Sequence, residues 1–382
     1  MRPASVPLAS QHLSGGVCDH QLDQPKLIGD SAHSAVGVRQ SVVDSIEMQS
    51  SLAFLDSEVV SAWKLLKFNW SLLACIAGVV LAWLVATRFY VEPSGYVVTF
   101  ALAALYRRIG LRNALSATHA NPRVFLSLIA IGQMSLAIPV MLTLSYAAAS
   151  INLPLQDARL LAWDRALGFD FKSLLDFTNR HPELIPVLAR SYSSITVQMI
   201  MAVVLLPIAG YYRRGAEMIC AYVLALMATS CISALVPAIG VYHVLGLQAS
   251  DFPYFEPAGY YDTLRDAPLV RAGVLQELHL TQLVGVCTFP SFHAAAAILY
   301  MWSFWPLRWL RPIAIPWNVA MIAATPLGGG HYLVDMLAGV AVSTAAIAVT
   351  ASISAACSQG RAQSASDRVA ATKSPSIASL QT

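Results

Sequence analysis

From Asn69 onward the chain alternates long apolar runs with short polar ones. The runs cover about 69–88, 93–106, 124–149, 186–210, 217–241, 292–307, 312–329 and 334–355. A helix rises about 1.5 Å per residue, so roughly 20 apolar residues cross a hydrocarbon core of about 30 Å. Within each run the apolar residues are continuous and do not fall into a one-sided stripe, as expected where lipid is the main solvent. The pattern predicts an all-α, polytopic transmembrane helical bundle of about eight spans. The second run, "SGYVVTFALAALY" behind Glu92 and Pro93, is short and also suits a re-entrant or interfacial helix.

The polar remainder divides the chain. Residues 1–60, rich in Ser, Gln, Asp and Val without a period, predict a disordered N-terminal extension. Its start lacks the apolar core of a secretory signal, so the first run is expected to serve as the insertion signal. Residues 61–120 form an additional N-terminal membrane region, 121–356 the main membrane domain, and 357–382 a Ser/Ala-rich disordered tail. The longer polar connections are 150–185 and 242–290.

Composition strengthens this picture: 57% of the 382 residues are hydrophobic and only 12% charged, against about 25% charged in ordinary soluble domains. The net charge is +3, with Lys and Arg in short clusters between apolar runs. That arrangement is an orientation signal and not a nucleic-acid surface. Lys64 and Lys67, Arg107, Arg108 and Arg112, Arg213 and Arg214, Arg308 and Arg311, and Arg361 and Lys373 all fall on one side if there are eight spans. Both termini are then cytoplasmic and the other loops extracytoplasmic; without the second span only the N-terminus changes sides. The six cysteines are scattered with no C-x-x-C pair and read as small buried hydrophobes.

Two segments carry candidate chemistry, "FPSFHAAAAILY" at 289–300 and "GGGHYLVDMLAGV" at 328–340. A chain that enters the membrane near His293, turns at "PLRWLRP" and returns by Leu327 brings both histidines to one membrane surface. Asp335 follows His331 by four residues, so on a helix their Cβ atoms lie about 5–6 Å apart. A carboxylate that accepts a proton from one imidazole nitrogen leaves the other free as a nucleophile. A second, protonated histidine suits a general acid. Such a trio fits displacement at phosphorus with no metal and no cofactor. Ser291 and Gly330 lie in turns whose backbone N–H groups suit phosphoryl oxygens at a helix start.

Other readings of the same residues stay open. A His–Asp pair at this spacing also suits a structural hydrogen bond, a proton relay in a transporter, or, with His293, His331 and Asp335 together, a three-ligand zinc site. The spans are nearly free of charge and show no internal repeat, which counts against the transporter. Tyr332 reads as an interfacial aromatic, and Gly328 to Gly330 as a site of close packing or a phosphate-facing turn.

"PSFHA" at 290–294 and "HYLVD" at 331–335 resemble the second and third motifs, P-S-x-H and H-x-x-x-D, of the type 2 phosphatidic acid phosphatase superfamily. The fuller forms, and "PLQDARLLAWDRALGFDF" at 154–171, look most like the branch that includes inositol phosphorylceramide synthase and its bacterial relatives. The resemblance covers roughly 125–350 and implies a six-helix phosphatase-like core acting on a membrane lipid, by hydrolysis or by transfer to a small alcohol or sugar. It implies that His331 is the nucleophile, that Asp335 orients it, that His293 protonates the leaving group, and that Ser291 helps hold the phosphate. The first motif, K-x-x-x-x-x-x-R-P, is absent, and Ala324 and Thr325 stand where the third motif usually starts with Ser-Arg. Arg265 and Arg271 are the guanidiniums on the same side as the motifs, and "VRAG" resembles an Arg-containing stretch of the ceramide-linked branch, which favours Arg271 as the expected phosphate-binding cation.

Overall fold

A computed structural model describes residues 57–116 and 118–372. The chain there is almost wholly helical. Helix α1 is Ser57–Ala86, α2 Pro93–Ala114 and α3 Pro122–Ser150; the loop helices α4 and α5 are Asp157–Ala166 and Phe171–Arg180. Next come α6 (Ile185–Ser193), α7 (Ile195–Ile208), α8 (Tyr212–Leu235) and the short α9 (Val241–Leu245). Helix α10 is Ala258–Arg271, α11 Phe292–Phe304, α12 Arg311–Gly329 and α13 Leu333–Thr372.

The helix starts follow from capping chemistry. Glu92 and Asn121 each accept a hydrogen bond from the second residue beyond them, with Pro93 and Pro122 at the first helical position, where a missing N–H costs nothing. Ser291 caps α11 by accepting from the Ala294 N–H at 3.4 Å.

Helices stand at all eight apolar runs. Four of them, beginning at Glu58, Pro122, Tyr212 and Leu333, are long and apolar enough to cross a membrane. Helices α6 and α7, bent by 52°, make up a fifth candidate if they form one span. Helix α11 has only 13 residues. Helices α2 and α12 are diluted by polar and Pro residues such as Arg107, Arg108, Asn318, Pro316 and Pro326. The expected count of about eight is therefore met as helices, but only in part as full-length apolar spans. The expected extension at 1–60 lies outside the described residues up to position 56, and α1 already begins at Ser57. Helix α13 runs through the expected tail to Thr372.

Helix α8 is the hub, touching α1, α3, α7, α11 and α13. Its buried face is rich in small residues, among them Gly215, Ala216, Cys220, Ala221, Ala225, Ser230 and Ser233, which let neighbouring helices approach closely. A second apolar cluster lies under the loops, with Tyr146, Leu160, Phe171, Ile239, Tyr242, Tyr260, Leu327 and Tyr332. The connection 242–290 is thus folded, holding α9, α10 and a two-residue strand, Glu277–Leu278, paired in parallel with Tyr90–Val91.

The two ends of the bundle differ. At one end Glu92 N donates to Leu278 O at 2.9 Å, Gln156 N to Pro237 O at 2.8 Å, and Val241 N to Gly330 O at 2.8 Å, so the long loops and both histidine motifs gather there. At the other, Lys64 Nζ donates to Cys357 O at 3.0 Å. There Arg213 Nε also bonds Glu217 Oε1 at 2.8 Å and Ser354 Oγ at 2.9 Å.

Candidate active site

The two histidine segments meet through their backbones. Ser291 N donates to Asp335 O at 3.0 Å, tying the start of α11 to the first turn of α13. Gly339 makes this possible, since a Cβ there would collide with the Ser291 carbonyl. The Ser291 side chain is fully buried.

His331 sits between α12 and α13. Gly330 ends α12 in the left-handed region, with φ 66°, and the rings of Tyr242 and Tyr260 close over it. The chain then turns, and His331 Nδ1 lies 3.2 Å from Asp335 Oδ2, the pairing expected from the four-residue spacing. Asp335 is fully buried, and its Oδ2 also accepts from Tyr332 N at 2.9 Å, while Oδ1 has no partner among the described residues. With Nδ1 facing a carboxylate, Nε2 is the free nitrogen.

His293 is the second residue of α11, and its ring stacks on Tyr192, with centroids 3.9 Å apart and planes within 10°. A methyl group on Gly329 would stand 2.6 Å from His331 Nε2 and 2.9 Å from the Tyr192 hydroxyl, so those two atoms border one point. Tyr192, at the end of α6, therefore stands between the imidazoles, its ring on one and its hydroxyl beside the other. No sequence motif singled it out.

Helix α4 supplies a support that spacing alone did not identify. Asp157 and Asp164, seven residues apart and so on one helical face, are both buried. Asp157 Oδ1 accepts from the Tyr332 hydroxyl at 2.9 Å and from Gly240 N at 2.8 Å. Asp164 accepts from Leu333 N at 2.8 Å and Val334 N at 3.0 Å, and so caps α13 from another helix. Burial raises the Asp164 carboxyl above its usual pKa, against the pull of those two N–H groups. Three successive residues after His331 are thereby fixed. Tyr332 is correspondingly a fully buried donor, not the interfacial aromatic that its sequence position suggested. Replacing Asp164 with alanine leaves two half-buried N–H groups without their carboxylate, an expected loss of about 2 kcal/mol. Thermal unfolding of the purified variant measures it, and an unchanged midpoint would show that water replaces the carboxylate.

The expected cations are occupied elsewhere. Arg265 Nε bonds Asp266 Oδ1 at 2.6 Å and its Nη1 bonds Asp262 Oδ1 at 3.2 Å. Arg271 Nη2 donates to Leu153 O at 2.7 Å, and the side chain lines a 390 Å³ cavity with His243, Asn152 and Pro268. Neither is recorded in contact with His293, His331 or Asp335. Among the described residues no group of three His, Cys, Asp or Glu side chains converges as a metal ion requires.

Residues 158–349 match the family model described as the PAP2 superfamily. The family match and the long apolar helices are those of a membrane phosphatase-type protein. The chain belongs to the PAP2 superfamily, whose members are phosphatases and phosphotransferases acting on phosphoric esters. Helices α1 to α3 precede the matched region. No curated protein and no solved structure matches the chain.

Proposed function

We propose that the protein is a lipid phosphatase or phosphotransferase that works through a phosphohistidine on His331. The observation that carries this reading is the His331 Nδ1 to Asp335 Oδ2 pairing, which leaves Nε2 facing the point it shares with Tyr192. In the first step Nε2 attacks phosphorus, an N–P bond forms and the ester P–O bond breaks. The proton of His293 goes to the leaving oxygen of the lipid. In the second step neutral His293 takes a proton from the acceptor, whose oxygen displaces Nε2 and restores both imidazoles. Water as acceptor gives hydrolysis and an alcohol such as inositol gives phosphotransfer; if the group carried on Nε2 is a phospho-alcohol and the acceptor is a second lipid hydroxyl, the same steps give head-group transfer, as the likeness to the inositol phosphorylceramide synthase branch suggests.

Separation of the basic clusters from the histidine motifs supports an extracytoplasmic active face with cytoplasmic termini. A head group then meets the site while its acyl chains stay in the bilayer.

Phosphate release from a panel of phospholipids and lipid pyrophosphates by detergent-purified protein, with a chelator present, tests the reading. Release that persists with chelator and stops in His331→Ala is the expected result. Activity that returns only with added zinc would favour a metal hydrolase. Absence of release and of transfer to any supplied alcohol, from folded protein, would overturn the enzyme reading. Inositol and sugars, added in turn as acceptors, are expected to divert the phospho group from water if the protein is a transferase.

A further inference from the structure

We propose that Tyr192 is the residue that binds the transferred phosphoryl group, donating its hydroxyl to a non-bridging oxygen while its ring holds His293. The inference rests on the reaction assigned above and names the donor that reaction needs.

Negative charge on a transferring phosphoryl group requires donors aimed at its oxygens. The family's first motif, which would provide cations, is absent from this chain; Arg265 is bonded to Asp262 and Asp266, and Arg271 bonds the Leu153 carbonyl through Nη2, with neither recorded against the histidines. Tyr192 is a donor bordering the same point as the free nitrogen of His331. A buried tyrosine hydroxyl ordinarily has a hydrogen-bond partner. The Tyr192 hydroxyl has none recorded among the described residues and is not among the sealed-off polar atoms, so in a residue that is only 9% exposed its oxygen is left open to a ligand.

The placement is built by several independent features. Gly259, Gly328 and Gly329 pack against the ring and its hydroxyl, and a Cβ on Gly328 would stand 2.8–2.9 Å from three ring atoms. The run of glycines before His331 thus makes room for this tyrosine. Helix α6 stops directly after it, and the break at Ser194 is pinned by Trp317 Nε1 at 2.9 Å and Gln198 Nε2 at 3.0 Å, both donating to Ser194 Oγ. The stack with His293 then orients the general acid toward the group that the hydroxyl holds.

Tyr192→Phe keeps the ring and removes the donor; Tyr192→Leu removes both. Loss of one donor to a developing anion is expected to lower kcat about 10²-fold with little change in KM. Two readouts separate this role from a structural one. Orthovanadate, a phosphoryl-transfer mimic, should inhibit Tyr192→Phe more weakly by a factor close to the fall in kcat. Its stabilisation of the folded protein against heat should shrink in the same variant. Tyr192→Leu should also shift the alkaline limb of the pH–rate profile, on which the general acid loses its proton, because His293 loses its stacking partner. Full kcat and full vanadate affinity in Tyr192→Phe would overturn the proposal and leave the phosphatase reading intact. If the native protein turns over no lipid but vanadate stabilises it and Tyr192→Phe abolishes that effect, the oxyanion site stands and the reaction reading falls. If vanadate neither inhibits nor stabilises the native protein, the oxyanion site is overturned whatever the turnover shows.

Discussion

His331→Gln is expected to lower phosphate release by about 10⁶-fold, the scale on which a covalent nucleophile is lost. Glutamine preserves much of the volume and can still bond Asp335, so the thermal unfolding midpoint should move little. A radiolabelled substrate should mark the native protein with an acid-labile, alkali-stable phosphate and should leave His331→Gln unlabelled. His293→Gln separates the roles. It should severely slow phosphorylation of the enzyme by a lipid, whose alkoxide must be protonated as it leaves, yet spare the initial burst of phenol from an aryl phosphate, whose leaving oxygen needs no proton. Label in His331→Gln equal to the native level would remove His331 as nucleophile, and equal loss on both substrates in His293→Gln would remove the general-acid assignment.

Gly329→Ala is the second large effect. The added methyl would stand 2.6 Å from His331 Nε2 and 2.9 Å from the Tyr192 hydroxyl, closer than carbon tolerates, so the imidazole must move. A shift of about 1 Å in a reacting group costs roughly 10²-fold in rate, and kcat/KM should fall by about that factor. Because Gly329 is in α12, alanine suits the backbone, and the folded state should survive. Gly78→Ala is the control: nothing lies within 4 Å of its Cβ position, so activity should be native. Native kcat/KM in Gly329→Ala would show that the His331 ring has freedom that the packing around it denies.

The membrane class and the pairing of His331 with Asp335 were legible because both follow from local spacing. A continuous apolar run dictates a helix in lipid, and residues four apart stay within reach of each other even though His331 stands just ahead of the first turn of α13. The meeting of the two histidine segments was legible one step further, from counting spans. Asp157 and Asp164 lie in the stretch that carries part of the family resemblance, but nothing in their local spacing points to a role. Their partners, Tyr332, Leu333 and Val334, lie some 170 residues away, and no periodicity encodes such a distance. Tyr332 was misjudged for the same reason: beside an apolar run an aromatic suits the interface, and only the Asp157 carboxylate above it makes burial of its hydroxyl favourable.

The arginines show the opposite limit. Sequence identifies Arg265 and Arg271 as cations near the motifs, but a guanidinium takes whichever carboxylate or carbonyl lies nearest, and these are Asp262, Asp266 and the Leu153 carbonyl.

By itself, then, the sequence determined that this chain is a helical membrane protein with a His–Asp pair and a second histidine at one end. Those features depend on hydrophobicity and on residues a few positions apart. Tertiary structure alone decided that α4 caps α13, that glycines on α10 and α12 admit the Tyr192 ring against His293 and its hydroxyl beside His331, and that Arg265 and Arg271 bond elsewhere. Apart from the bonds of Arg265, each of those contacts joins residues dozens of positions apart, and packing selects them only once the helices have come together.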